Sequence, residues 1–152
     1  MYKIIIIEDD PMVASINKQY VELTSSFHVE ATFKNGILAL QYLQNCTVDL
    51  IILDYYTPQM NGDEFIDQLH AAGMTPAIIM VTSANDAETV RRLISRGVTD
   101  YLVKPFEYDR FKAALERFAK RQEELKTSAS ASDLGQAEID RLPERSADKG
   151  PK

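Results

Sequence analysis

The sequence predicts an α/β fold: a doubly wound, five-stranded parallel sheet with helices on both faces. Five short apolar segments alternate with five stretches of helical periodicity, the pattern of repeated strand–helix units. Three of the apolar segments are nearly uninterrupted, as strands covered on both faces are. A chain of 152 residues is also the size of one ordinary domain with a real core.

The strands are expected at residues 3–7, 28–33, 50–53, 77–81 and 101–103. The first helix is capped by Asp10, with Pro11 in the first turn, where its missing N–H costs nothing. Ile16, Tyr20 and Leu23 lie along one side of it. The second helix spans about 36–45, with Leu40 and Leu43 inward. The third starts near Asn61, ends at Gly73 and carries Phe65, Ile66 and Leu69 as its apolar stripe. Asp86 caps the fourth, which carries Val90, Leu93 and Ile94 and stops at Gly97. The fifth begins after Pro105, and the spacing of Phe111, Leu115, Phe118, Gln122 and Leu125 carries it to about Lys126.

Composition changes after Lys126. Residues 127–132 are Ser and Ala apart from Thr127 and read as a flexible linker. Residues 133–142 suit a short helix capped at Asp133, and the polar remainder reads as disordered. The expected organisation is thus a domain over 1–126 and a linker and tail over 127–152.

The net charge of -6 divides into -5 for residues 1–126 (18 acids, 13 bases) and -1 for residues 127–152 (5 acids, 4 bases). No basic tract stands out, so binding of nucleic acid by phosphate neutralisation is not expected of this chain. The single cysteine, Cys46, excludes an internal disulfide and a cysteine metal cluster, and is expected to be a small, buried or half-buried apolar residue. No apolar run approaches the ~20 residues that span a bilayer. Ile4 to Ile7 is too short for a signal peptide and runs straight into Glu8-Asp9-Asp10. Cytoplasmic residence without membrane attachment is the expectation.

Sheets of this class bind ligands beyond the carboxyl ends of their strands. The first strand runs into Glu8, Asp9 and Asp10, the third ends in Asp54, the fourth in Thr82 and Ser83, and the fifth in Lys104-Pro105. Each feature alone has a plain reading as a helix cap, a turn former, a β-branched strand residue or a surface lysine. Their joint occurrence at the same end of four strands favours a site. Clustered carboxylates raise one another's pKa unless a cation neutralises them. A hard divalent ion with oxygen ligands suits them, Mg2+ above all.

The chain resembles the receiver domain of bacterial two-component response regulators, the CheY-like family. The resemblance covers about residues 1–122 and rests on Ile4-Ile5-Ile6-Ile7-Glu8-Asp9-Asp10-Pro11, Asp49-Leu50-Ile51-Ile52-Leu53-Asp54, Pro58-Gln59-Met60-Asn61-Gly62, Met80-Val81-Thr82-Ser83 and Gly97-Val98-Thr99-Asp100-Tyr101-Leu102-Val103-Lys104-Pro105-Phe106. It implies the flavodoxin-like strand order 2-1-3-4-5. It implies that Asp54 accepts a phosphoryl group from a partner sensor histidine kinase, in a self-catalysed step and not as a turnover enzyme. Mg2+, or Mn2+ in its place, would be held by Asp9, by Asp54, by Glu8 through water and by the main-chain carbonyl of Tyr56. Thr82 would bond the phosphoryl group, Lys104 would pair with it, and Tyr101 would turn inward as Thr82 moves. Asp10 stays a helix cap.

Two departures from the family pattern bear on lifetime. Glu8 stands where Asp is frequent, and its longer side chain suits a water-mediated role. Tyr56 and Ala84 lie two residues beyond Asp54 and Thr82, where side chains help or hinder the hydrolytic water; neither can orient it, so slow self-dephosphorylation is expected. A flavodoxin-like cofactor binder is a rival on strand pattern alone, but an anionic, proline-bearing first loop is the opposite of a flavin phosphate cradle. A degenerate receiver acting only as a binding module would need a missing acceptor, acidic pair or lysine.

The segment Gln136-Ala137-Glu138-Ile139-Asp140-Arg141-Leu142 resembles the linker after the receiver in regulators of the citrate/malate-responsive type. The expected output is transcription through a helix-turn-helix domain absent from this chain, with DNA bound only there. A homodimer through the fourth helix, fifth strand and fifth helix would suit it. The alternative is a stand-alone receiver signalling by protein contact.

Overall fold

The computed structural model describes residues 1–83 and 87–132. The order is β1 (Tyr2–Ile7), α1 (Pro11–Leu23), β2 (Phe27–Phe33), α2 (Gly36–Leu43), β3 (Leu50–Asp54), α3 (Gly62–Ala71), β4 (Ala77–Thr82), α4 (Ala87–Ser95), β5 (Asp100–Val103) and α5 (Tyr108–Ser132). The expectations for Ala84, for the Asp86 cap and for the helix at 133–142 fall outside the described residues. Two compact units divide the chain, residues 1–115 and residues 116–152.

All strands pair in parallel in the order β2-β1-β3-β4-β5, as expected. Ile4 to Ile7 and Leu50 to Leu53 are almost wholly inaccessible, because successive side chains point to opposite faces and both faces are covered. On one face Ile5, Ile7, Ile51, Leu53, Ile78 and Met80 pack with Ala39 and Leu43 of α2, Phe65, Ile66 and Leu69 of α3 and Leu93 of α4. The alternate strand residues lie on the face where Val21 of α1 and Phe111 of α5 are buried.

Helix starts follow local chemistry. Asp10 Oδ1 accepts from the Met12 and Val13 amides at 2.9 and 3.4 Å, with Pro11 in the first turn. Asn61 and Glu64 form a reciprocal capping box on α3, satisfying amides a helix start leaves open. Gly62 follows because a Cβ there would lie 2.7 Å from the Tyr55 ring and 3.0 Å from Met80.

Four expectations need correction. In α1 the buried residues are Ala14, Asn17 and Val21, while Ile16 and Leu23 are exposed and Tyr20 is half-buried. Two stripes of helical spacing coexist there, and the one containing the small Ala14 lies inward. Tyr20 turns its ring to Tyr108 and Phe111 at 5.3 and 5.4 Å. In α4 only Leu93 is buried, and Ile94 is exposed. Helix α5 continues to Ser132 through the segment read as a linker. Alanine favours helix, and the Thr127 hydroxyl bonds back to the Glu123 carbonyl at 3.0 Å. Cys46 is exposed, between α2 and the start of β3.

Candidate phosphoacceptor and metal site

Parallel strands bring their carboxyl ends to one edge, and five of the expected residues meet there. Glu8 follows β1 and is buried; Asp54 ends β3 and is 6% exposed; Thr82 ends β4 and is fully buried. Asp9 stands beside them, exposed. One carboxylate oxygen from each of Glu8, Asp9 and Asp54 falls within 4.8 Å of the others. Lys104, just past β5, donates to Glu8 Oε1 at 3.1 Å and to Asp54 Oδ2 at 3.5 Å.

Main-chain bonds hold these ends in place. The Lys104 amide donates to the Thr82 carbonyl at 2.8 Å, the Tyr55 amide to the Val81 carbonyl at 2.8 Å and the Gly62 amide to the Tyr55 carbonyl at 2.9 Å. The Asp10 amide donates to Glu8 Oε2 at 3.1 Å, and the Tyr56 amide to Asp54 Oδ1 at 3.4 Å. Tyr56 itself is exposed. Tyr101 lies opposite Met80, half-buried against the core, and its carbonyl accepts from Arg110 at 2.8 Å.

Burial pushes the Glu8 carboxyl above its ordinary value. The Asp10 amide opposes that rise, the Asp54 charge adds to it, and Lys104 opposes it. Burial works against the Lys104 ammonium too, but the carboxylates of Asp54 and Glu8 outweigh it and hold the lysine above its usual range. Two buried carboxylates, Glu8 and Asp54, therefore share one ammonium group, and the exposed Asp9 carboxylate lies beside them. The donor set is all oxygen, which fits a small hard divalent cation and not a soft one. An anionic group brought to Asp54 would meet Lys104 first among the cations of this edge.

The sequence expectations leave out Tyr55, Asp63, Arg92 and Arg96, which form a polar assembly beginning one residue after Asp54. A signal exists in the spacing: Asp63 and Asp67 are one turn apart on α3, and Arg92 and Arg96 are one turn apart along the chain from α4.

The family profile of the response regulator receiver domain matches residues 4–116. The chain is 36% identical over 141 residues to the "Probable C4-dicarboxylate response regulator DctR" of Priestia megaterium, covering 93% of this chain and 60% of that protein. It is 34% identical to the transcriptional regulatory protein MalR of Bacillus subtilis (92% and 58% covered) and 35% identical to the transcriptional regulatory protein DcuR of Escherichia coli K12 (93% and 59%). The chain thus spans about 60% of the length of these relatives. They bear out the resemblance to regulators of the citrate/malate-responsive type. Among solved structures, the response regulatory domain of mrkE from Klebsiella pneumoniae superposes with a TM-score of 0.72 at 23% identity, covering 80% of this chain and 98% of that one. The receiver domain of the Francisella response regulator 1452 does so with 0.72 at 23%, covering 80% and 99%. At that identity the likeness establishes the fold.

Proposed function

The chain belongs to the response regulator receiver domain family, and on that premise we propose that it is a phosphorylation switch in which Asp54 takes the phosphoryl group from a histidine kinase. The observation that carries this reading is the reach of Lys104 from the end of β5 to both Glu8 and Asp54.

An Asp54 carboxylate oxygen attacks phosphorus. The O–P bond forms as the P–N bond of a phosphohistidine on the kinase breaks, and the imidazole keeps the electron pair. Such transfers need positioning and charge stabilisation more than covalent machinery. Asp9, Asp54, the main-chain carbonyl of Tyr56 and, through water, Glu8 would hold Mg2+, with Mn2+ able to replace it. When bound, the ion supplies neutralising charge at the phosphoryl oxygens. Lys104 supplies the protein's own positive charge. The aspartyl phosphate carries about two negative charges, enough to draw Lys104 from Glu8 and to recruit the Thr82 hydroxyl. The loops after β4 and β5 follow, with Tyr101 turning inward, and α4, β5 and α5 present a changed face. That is a population shift driven by contacts made only with the phosphoryl group. The chain is a switch with slow self-dephosphorylation and no turnover chemistry of its own.

Transcription is the output we assign, because MalR and DcuR are named transcriptional regulatory proteins. DNA would be bound by a domain outside residues 1–152, residues 1–126 being the receiver and residues 127–152 the connection to it. Dimerisation through the face formed by α4, β5 and α5 would couple the two. No helix among the described residues is long and apolar enough to cross a membrane, and we place the chain in the cytoplasm with its kinase partner.

The test is incubation with Mg2+ and a small-molecule phosphodonor, read by intact mass. One phosphoryl adduct on the wild type that is lost in Asp54→Ala is expected. An unmodified wild type would leave a binding module in its place.

A further inference from the structure

Tyr55 follows Asp54 directly and is 7% exposed. Its hydroxyl donates to Asp63 Oδ2 at 2.5 Å. Arg92 of α4 donates from the same Nη2 to Asp63 Oδ2 at 2.8 Å and to the Tyr55 hydroxyl oxygen at 3.1 Å. Arg96 donates to Asp63 Oδ1 at 3.1 Å and pairs through its other nitrogen with Asp67. One carboxylate on the first turn of α3 thus receives a phenol and two guanidinium groups.

Leu93 is the one buried residue of α4 among those described, and Ile94 is exposed. Charged contacts of this kind, part-buried at Asp63 and open to solvent at Arg92, act on orientation as well as on stability, which each partly screened pair raises little. Burial pushes the Asp63 carboxyl up, but hydrogen bonds from Arg92 and Tyr55, together with the charge of Arg92, outweigh it and keep the carboxyl below its ordinary value. The Tyr55 phenol is held above its usual range, first by burial and then by Asp63.

We infer that Asp63 is a positioning residue: it latches α4 to α3 and to Tyr55 in the unphosphorylated chain, and the latch sets how readily Asp54 is phosphorylated. The inference rests on the proposed function. Helix α4 begins at Ala87, shortly after Thr82, so the change that lets Thr82 reach a phosphoryl group passes into α4. A contact that favours one of two arrangements lowers the population of the other, and with it the rate of a reaction that proceeds from the other. The same contact joins the residue after the acceptor to the helix that must move. Coupling runs in both directions: a released α4 favours phosphorylation, and phosphorylation loosens α4.

The experiment compares wild type, Asp63→Asn, Arg92→Gln, Arg92→Lys and the Asp63→Asn/Arg92→Gln double variant as full chains, with Mg2+ and a small-molecule phosphodonor. Asp63→Asn keeps the shape and removes the charge. It is expected to be phosphorylated about fivefold faster than wild type, with Arg92→Gln faster by a similar factor and Arg92→Lys close to wild type. The double variant is expected to be no faster than the faster single variant, because both remove one latch. Hydrogen exchange on the unphosphorylated chains is expected to quicken in α4 and not in β1 or β3. Folded Asp63→Asn and Arg92→Gln chains with wild-type rates and wild-type α4 exchange would overturn the latch alone. A wild type that accepts no phosphoryl group would overturn the proposed function and the latch with it.

Discussion

Lys104 lies closer to Glu8 than to Asp54, at 3.1 Å against 3.5 Å. Glu8 is the more deeply buried of the two carboxylates, and the ammonium group joins the Asp10 amide in offsetting that burial. Replacing Lys104 with Ala leaves a buried carboxylate with less compensation. The variant should lose about 1–2 kcal/mol of stability, measured by urea unfolding without divalent cation. A variant as stable as wild type would mean that the pair contributes little.

Divalent cation should recover part of that loss. In wild type, saturating Mg2+ should raise the unfolding midpoint, since binding to the folded state alone stabilises it by about 2.7 kcal/mol at a hundredfold excess over Kd. Asp9→Asn should lower the apparent affinity for Mg2+ read from the same titration. An unchanged midpoint in wild type at every Mg2+ concentration would count against a metal held by Glu8, Asp9 and Asp54.

Tyr56 is 55% exposed, with its amide 3.4 Å from Asp54 Oδ1. Its side chain offers no carboxylate or amide to orient a hydrolytic water. Tyr56→Asn should shorten the lifetime of the phosphorylated chain by about tenfold, followed by intact mass after the phosphodonor is removed. An equal or longer lifetime would contradict the assignment.

The Asp63 cluster predicts a pH dependence. Tyr55, Arg92 and Arg96 face Asp63, with Asp67 beside Arg96, and the folded-state pKa of Asp63 is lowered. A lowered carboxyl contributes stability above its unfolded value, about 3.9, and loses it as pH falls through the folded value. The difference in urea midpoint between wild type and Asp63→Asn should therefore be flat from about pH 7 to 5 and shrink below about pH 4. A difference that closed between pH 7 and 5 would assign it to another group.

Gly62→Ala should cost about 1–3 kcal/mol. The added methyl would lie 2.7 Å from the Tyr55 ring and 3.0 Å from Met80. The Tyr55 ring is pinned by its bond to Asp63, so it cannot swing aside without breaking that bond. Calorimetry against wild type measures the cost directly.

The strands were legible because β1, β3 and β4 are buried on both faces and read as unbroken apolar runs. The candidate site was legible to the extent that parallel strands carry their following residues to one edge, so Glu8, Asp54, Thr82 and Lys104 needed only linear positions to be gathered. Helix faces were harder. In α1, residues 14, 17 and 21 and residues 16, 20 and 23 both fit helical periodicity, and the larger apolar side chains pointed to the less buried set. The Asp63 assembly was hidden for a different reason. Charges one turn apart on a helix read as a solvated face until a second helix brings the complementary pair, and that meeting is tertiary.

Cys46 offers a practical opening. It is the single thiol of the sequence, exposed, and placed before β3 begins, whereas Asp54 closes that strand. A maleimide fluorophore or spin label would attach there in one defined position, with the length of a strand between the probe and Asp54. Residues 1–152 therefore already carry their own labelling handle, and spectroscopic titrations of this chain need no cysteine to be engineered in.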